Sequence, residues 1–416
     1  MKTSITKGGL KKGFSTGAVS AAAVKASIRY YFLKKDISSI EIEMPLGETC
    51  SINIFSLSFK ILKSGEKAAC TVIEKYSGDD PDVTGGIKIH ADFLALKPLK
   101  CNENFYANYN GEHGNEYLLS SQLYGKIHIY NEIHLKDKDI RLILTCANGI
   151  GIVTKPGLPV NIGAPAINPV PYKMIEDSAK KELLYWADIT GQSGATFLSV
   201  LYIPEGEKVA KKTLNSRLGI IGGLSILGTT GYVIPISASA WLGTIKSSLM
   251  FLSANNRKVS IYIQGRFSEK KAMEIFGHYA HEHFIEIGDF VSYSMRKAMR
   301  FGMKEIILVG QFGKILKISQ GARNTNAKYT TINLKYLAEA VKRRVSDERL
   351  YEMVANSNTS REAFFHILDK TSKEASKNII YDILKSARSN LERMGGGSIK
   401  CTVVLLSYDG KKLLEV

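Results

Sequence analysis

The stretch Arg217–Gly231, RLGIIGGLSILGTTG, decides how the second half of the chain is read. Arg217–Ile221 is expected to form a buried strand that runs into Gly222-Gly223, and a further turn carries Gly228-Thr229-Thr230-Gly231. Glycines at the carboxyl end of a first strand let a cofactor approach the backbone, as in doubly wound sheets that bind nucleotides. The spacing is not GxGxxG, so the motif alone is weak and a plain structural turn stays open as the other reading. Two later signals support the first: Gly265 follows the strand Val259–Ile263, and Gly310-Gln311-Phe312-Gly313 follows the strand Glu305–Val309. Strand, glycine turn and helix then repeat, which predicts an open, mostly parallel sheet with helices on both faces. Successive strand ends point to one crevice. Its candidate cofactor-binding residues are Gly222, Gly223, Ser225, Gly228, Thr229, Thr230, Gly265, Gly310, Gln311 and Gly313.

Outward from that stretch, the polar segment Pro204–Thr213 reads as a domain edge. It predicts two domains, 1–212 and 213–416, in keeping with a length of 416 residues. The first domain is expected to be α+β with mainly antiparallel strands, because Ile40-Ile42-Met44, Ile52-Ile54, Ile127-Ile129 and Ile140-Leu142-Leu144 alternate. Ahead of them Val19, Ala22, Ala23, Ala26 and Tyr30 form one helical stripe, which Ser15 or Thr16 can cap. In the second domain Val291, Met295 and Ala298 share a helix face, the tail is helical from Leu334 to Val345, and a last strand pair turns around Asp409-Gly410.

Two irregular stretches interrupt the first domain. Gly78–Gly86, GDDPDVTGG, places Asp79, Asp80 and Asp82 around Pro81, where they serve either as cation or acid–base groups or as a type I turn. Gly149–Pro171 holds five of the ten prolines and can be neither a regular helix nor a central strand. Lys155, Asn168 and Lys173, in or beside that loop, suit substrate carboxylates, although a solvated loop carries lysines equally well.

The net charge of +17 invites a nucleic acid, an anionic membrane or a polyanionic small molecule. The basic residues occur in short runs without any nucleic-acid-binding pattern, so no nucleic-acid partner is expected. Ile234–Ala254, rich in serine and carrying Lys246, reads as a half-buried helix, so no membrane span is expected. Lys2 and Lys7 precede an alanine-rich run without the leucine-rich centre of a signal peptide. Cys50, Cys70, Cys101, Cys146 and Cys401 are scattered, which fits a reducing cytoplasm, and HYAHEH (278–283) lacks the spacing of a metal site.

Five segments together resemble the CbiD family of cobalt-precorrin-5B C1-methyltransferases: KKGFSTGAVSAAAVKA (11–26), GDDPDVT (78–84), GIVTKPGLPVNIGAPAINPVP (151–171), LGIIGGLSILGTTGYVIPIS (218–237) and VGQFGKILK (309–317). The resemblance implies methyl transfer from S-adenosyl-L-methionine to a ring carbon of a cobalt-containing corrin intermediate, the cobalt belonging to the substrate. It also implies an N-terminal α+β domain and a Rossmann-like α/β C-terminal domain. In that setting the catalytic candidates are Asp79 and Asp82, and the substrate-binding candidates are Thr16, Gly17, Lys155, Pro156, Asn168 and Lys173. The expected partner is an anionic corrin, and a homo-oligomer stays open. The sequence departs from the family pattern at Ala147-Asn148, Gly85, Ala238, Ser239, Asn326, Ala327 and Thr331. Those departures motivate an alternative, a relative that binds a tetrapyrrole with altered or lost methyl transfer.

Overall fold

A computed structural model describes residues 9–61, 66–96, 124, 127–235 and 237–416. Lys2, Lys7 and Cys101 lie outside the described residues. The chain forms two compact units, 1–237 and 238–416.

The first unit runs β1 (Gly13–Phe14), α1 (Thr16–Leu33), β2 (Ser39–Glu43), β3 (Thr49–Asn53), β4 (Ser56–Ile61), β5 (Lys67–Glu74), β6 (Lys88–Leu96), β7 (His128–Leu135), β8 (Ile140–Cys146), β9 (Gly149–Ile150) and β10 (Ile152–Val153). It continues through α2 (Pro169–Thr190), β11 (Thr196–Tyr202), α3 (Gly206–Ala210), β12 (Ile220–Ile221), β13 (Gly223–Leu224) and β14 (Tyr232–Val233). Six strands make one sheet in the order β4-β5-β6-β11-β8-β7, antiparallel except for the β11–β8 pair.

Helix α1 is buried on nearly every side, not along one stripe. Ala18, Val19, Ala21, Ala22, Ala23, Val24, Ala26 and Ile28 are all inaccessible to solvent. Alanine and serine side chains let it fit between the sheet and α2, and burying a Val or Ile contributes about 1.5–3 kcal/mol each. Ser15 Oγ accepts the Ala18 N–H at 3.1 Å and so caps the helix. Arg29 grips Glu182 of α2 through two 2.8 Å hydrogen bonds, and the Trp186 indole N–H joins the same carboxylate at 2.9 Å.

The second unit comprises α4 (Ala238–Ala254), β15 (Val259–Ile263), α5 (Arg266–Ile275), β16 (Phe284–Glu286), α6 (Val291–Arg300), β17 (Glu305–Gln311) and α7 (Phe312–Ser319). Four helices follow, α8 (Leu334–Lys342), α9 (Glu348–Ala355), α10 (Ser360–Lys370) and α11 (Lys373–Met394), and then β18 (Lys400–Leu406) and β19 (Lys412–Glu415). The sheet order is β16-β15-β17-β18-β19; the first four strands are parallel and β19 is antiparallel. Val291, Met295 and Ala298 are all buried, as their shared face predicts.

The domain edge expected at Pro204–Thr213 is corrected. That segment holds α3, and residues 213–237 belong with the first unit. The strand expected at Arg217–Ile221 is instead a 3₁₀ turn, Ser216–Leu218, followed by the short β12. Long-range pairs hold this segment: β12 lies antiparallel to β10, β13 parallel to β9, and β14 antiparallel to β1. Apolar residues beside glycines imitate the first strand of a parallel sheet, and local sequence does not distinguish the two. No helix among the described residues is long and apolar enough to cross a membrane.

Candidate functional site

In the first unit the loops of four matched segments interlock. Thr16 Oγ1 accepts the Leu227 N–H at 2.8 Å and lies 3.2 Å from both Ser225 O and Leu227 O. Gly17 donates to Leu227 O at 3.0 Å, and Asn168, the N-cap of α2, donates its N–H to Ile226 O at 3.0 Å. Ser225 Oγ donates to Asn215 Oδ1 at 3.3 Å, whose amide in turn reaches Gly223 O at 3.0 Å. Gly228 has φ +130°, and a Cβ there would fall 2.2 Å from Ser15 Cβ. Thr154 Oγ1 ties the proline-rich loop to Gly219 O at 2.8 Å, leaving Lys155 and Pro156 exposed beyond it.

The sequence-predicted residues Thr16, Gly17, Asn168, Gly223, Ser225 and Gly228 thus meet, with their polar groups largely spent on one another. Gly222 and Thr229 are exposed and Thr230 is half-buried in the same loop. Exposed apolar side chains stand among these loops, Ile162 and Ile221 each at 60% and Leu227 at 48%. Lys173 lies on the outer face of α2 and pairs with Asp177 at 2.6 Å.

The aspartate loop joins the same assembly through residues 11–13. Asp79 Oδ2 accepts the Lys11 N–H at 2.7 Å, and its own N–H donates to Lys11 O at 3.0 Å. Asp82 is fixed more firmly. Lys75 Nζ donates to Asp82 Oδ2 at 2.7 Å and to Ser77 Oγ at 2.7 Å, while Thr84 donates its N–H and hydroxyl to the same carboxylate at 2.9 and 2.7 Å. Burial opposes the charge on Asp82, but Lys75 and Thr84 outweigh it and hold the carboxyl below its ordinary value. A carboxylate held in this way suits the fastening of a loop better than the acceptance of a proton near neutrality.

A second polar cluster on this sheet carries no sequence motif. Asp92 is inaccessible to solvent; it receives Tyr124 OH at 2.6 Å and Lys60 Nζ at 3.2 Å, and Lys60 also reaches Tyr202 OH at 3.0 Å. Burial, only partly opposed by Asp92, pulls the neighbouring His90 down to about 4.

In the second unit the sheet reverses direction of growth after β16, which puts the switch point, where open α/β sheets hold a ligand crevice, at the carboxyl ends of β15 and β17. Gly265, Gly310, Gln311 and Gly313 are here, in a different compact unit from Gly222–Thr230. The ten residues expected around one crevice thus fall in two groups, Gly222–Thr230 in the first unit and Gly265–Gly313 in the second. Gly265 has open space at its Cβ position, whereas Gly313 backs onto Ser360 of α10. Sequence reasoning passed over the polar residues that shape this crevice, Gln264, Asp289, Lys314 and Thr325. Thr325 Oγ1 donates to Asp289 Oδ1 at 2.6 Å, Asn326 Nδ2 reaches Asp289 Oδ2 at 3.3 Å, and Lys314 Nζ lies 3.2 Å from Oδ1. Burial works against the Asp289 charge, but Thr325 and Lys314 prevail and keep the carboxyl below its usual value. The available signal was an acidic residue just past the second strand of a strand–glycine–helix–strand unit.

The histidines of HYAHEH make no metal cluster among the described residues, and His283 Nδ1 rests 2.8 Å from Val259 O.

The class so defined is a mixed α/β protein of two units, one offering interlocked glycine- and proline-rich loops and the other a strand-end crevice. The CbiD family model matches residues 3–105 and 123–235. The cobalt-precorrin-5B C(1)-methyltransferase of Geobacillus kaustophilus is 31% identical, over 98% of this chain and 95% of its own length. The enzyme of that name from Geobacter metallireducens is 32% identical over 97% and 98%, and one from Geobacter sp. strain M21 is 35% identical over 86% of each. The chain belongs to the CbiD family. A crystal structure of a cobalamin biosynthesis protein from Archaeoglobus fulgidus covers 76% of this chain and 81% of its own at 23% identity and a TM-score of 0.34, too loose a likeness to support an argument.

Proposed function

We propose that the protein is an S-adenosyl-L-methionine-dependent C-methyltransferase acting at C-1 of cobalt-precorrin-5B to give cobalt-precorrin-6A, in anaerobic cobalamin biosynthesis. The observation that carries this reading is the meeting, in one unit, of the loops of segments 11–26, 78–84, 151–171 and 218–237, far apart in sequence. Relatives matched over nearly the whole chain bear the name of that activity.

The first unit is the substrate side. Its exposed Ile162, Ile221 and Leu227 suit the flat apolar ring of a corrin, and the exposed Lys155 and Lys173 suit the acetate and propionate arms around it. An excess of +17 charges speeds the arrival of such a polyanion, although only a minority of the basic residues reach one ligand.

The second unit is Rossmann-like and is the donor side. The residues present fit a nucleoside-bearing donor: Gly265 is open at its Cβ position, and the buried Gln264 Oε1 has no hydrogen-bond partner among the described residues. The donor supplies an electrophilic methyl group, so the chain's task is to orient the reacting carbon and exclude water.

Separate calorimetric titrations of the full-length protein with S-adenosylhomocysteine and with a cobalt-corrinoid, followed by mass analysis of cobalt-precorrin-5B incubated with S-adenosylmethionine, test the reading. Binding of both and gain of one methyl group are expected. Corrinoid binding with neither cofactor binding nor turnover overturns it in favour of a tetrapyrrole binder without methyl transfer.

A further inference from the structure

We infer that the carboxyl ends of β15, β16 and β17 form a nucleoside pocket in which Asp289 receives the ribose hydroxyls, Gln264 Oε1 receives a further ligand donor and the Trp241 ring covers the base. The identity of the nucleoside rests on the methyl-donor reading above; the existence of the pocket does not.

Gln264 gives the most direct sign of a missing partner. Its residue is 6% exposed, and its Nε2 donates to Gly288 O and to Thr325 Oγ1, both at 3.2 Å. Gly288 O can only accept. Thr325 has already committed its hydroxyl proton to Asp289 Oδ1, so its oxygen must accept as well. Both neighbours demand a donor, which fixes the orientation of the amide. Oε1 therefore faces the opposite way, where it has no hydrogen-bond partner among the described residues. A Cβ at position 310 would stand 3.3 Å from that oxygen, so Gly310 keeps the space beside it clear. A buried acceptor without a donor is costly, and a ligand hydroxyl or amine relieves that cost.

Asp289 is the second acceptor. Oδ1 is engaged by Thr325 and Lys314, whereas among the described residues Oδ2 meets only the 3.3 Å contact with Asn326 and keeps accepting capacity in reserve. A carboxylate beyond the second strand of a parallel sheet, next to the first strand's glycine turn, stands where a ribose diol is received. The third element is Trp241, at the start of α4. Its indole N–H donates to Glu286 O at 3.0 Å, and its ring lies so close that a Cβ on Gly288 would be 3.1 Å away. With the N–H satisfied and 40% of the residue exposed, what the ring still offers is stacking surface. Gly288 thus links all three: Trp241 packs on it, Gln264 bonds its carbonyl, and Asp289 follows it.

The protein has two tryptophans, and the other, Trp186, belongs to the first unit. In full-length Trp186→Phe protein, tryptophan emission therefore reports Trp241. Adenosine and S-adenosylhomocysteine are expected to change that emission saturably, and homocysteine to leave it unchanged. Asp289→Asn and Gln264→Met, both near-isosteric and checked for an unaltered melting midpoint, are expected to weaken S-adenosylhomocysteine binding about tenfold or more, the scale of a lost buried hydrogen bond. Calorimetric binding of S-adenosylhomocysteine that neither variant alters and Trp241 does not sense overturns the pocket and leaves the methyl-donor reading standing. A response to adenosine with no binding of S-adenosylhomocysteine keeps the pocket and overturns the donor. Failure of both ligands to bind overturns both.

Discussion

Lys75 Nζ sits 2.7 Å from Asp82 Oδ2, with the lysine side chain 1% exposed and the aspartate side chain 20% exposed. Removing the carboxylate would strand a buried ammonium, so Asp82→Asn is expected to lower stability by about 3 kcal/mol, the cost of breaking a buried pair from one side. Lys75→Met combined with Asp82→Asn should recover much of that loss. Chemical denaturation of the single and double variants measures it. A stable Asp82→Asn protein without methyl transfer would return Asp82 to a catalytic role.

The same carboxylate gives an acid limb to stability. Its folded value lies below the ordinary one, so its contribution is fully present above about pH 4 and is lost as pH falls through the folded value. Melting of Asp82→Asn should accordingly depend less on pH below 4 than melting of the parent.

His90 acts at higher pH. Its folded value of about 4 lies below the unfolded value, so stability is fully present above about pH 6.5 and declines as pH falls toward 4. His90→Phe keeps an aromatic ring beside Tyr202, whose ring centroid is 4.8 Å away, and should flatten the decline. An unchanged slope between pH 7 and 4.5, read from melting midpoints, counts against this account.

Gly228→Ala should disrupt the loop assembly outright. The added methyl meets Ser15 Cβ at 2.2 Å on a backbone of φ +130°, and a loss of about 2–4 kcal/mol is expected. Proteolytic release of the 222–231 loop is the sensitive readout.

Lys155→Met and Lys173→Met test the substrate side. Both residues are exposed, so melting should be unchanged while KM for the corrin rises about fivefold each, the scale of one exposed charge-assisted bond. Added salt should narrow the difference from the parent. Equal KM values at low salt would move the carboxylate contacts elsewhere.

Elements whose partners lie nearby in sequence were legible before the fold was known. Ile40 and Ile42 face inward on β2 as their alternation predicts, and the final strand pair turns at Asp409-Gly410. Legibility failed where the partner is remote. Nothing local in Gly222–Gly231 says that it lies against Ser15 and Gly149, so its glycines resembled a nucleotide turn. In α1, a stripe motif could not reveal burial on all sides, because alanine and serine leave either environment open. Gln264 and Asp289 escaped notice because each is a single polar residue at a strand end, given meaning only by the neighbour that the sheet order brings to it.

The pairing of Gly13 with Val233 in β1 and β14 bears on how the protein is made. The first helix is synthesised early, yet the segment that covers its amino end is nearly the last of its unit to be translated. The nascent unit must wait, with the amino end of that helix lacking its cover, until about residue 235 has left the ribosome. Ribosome-bound chains halted just short of Tyr232 should remain protease-sensitive at residues 9–17, and chains released beyond that point should become protected.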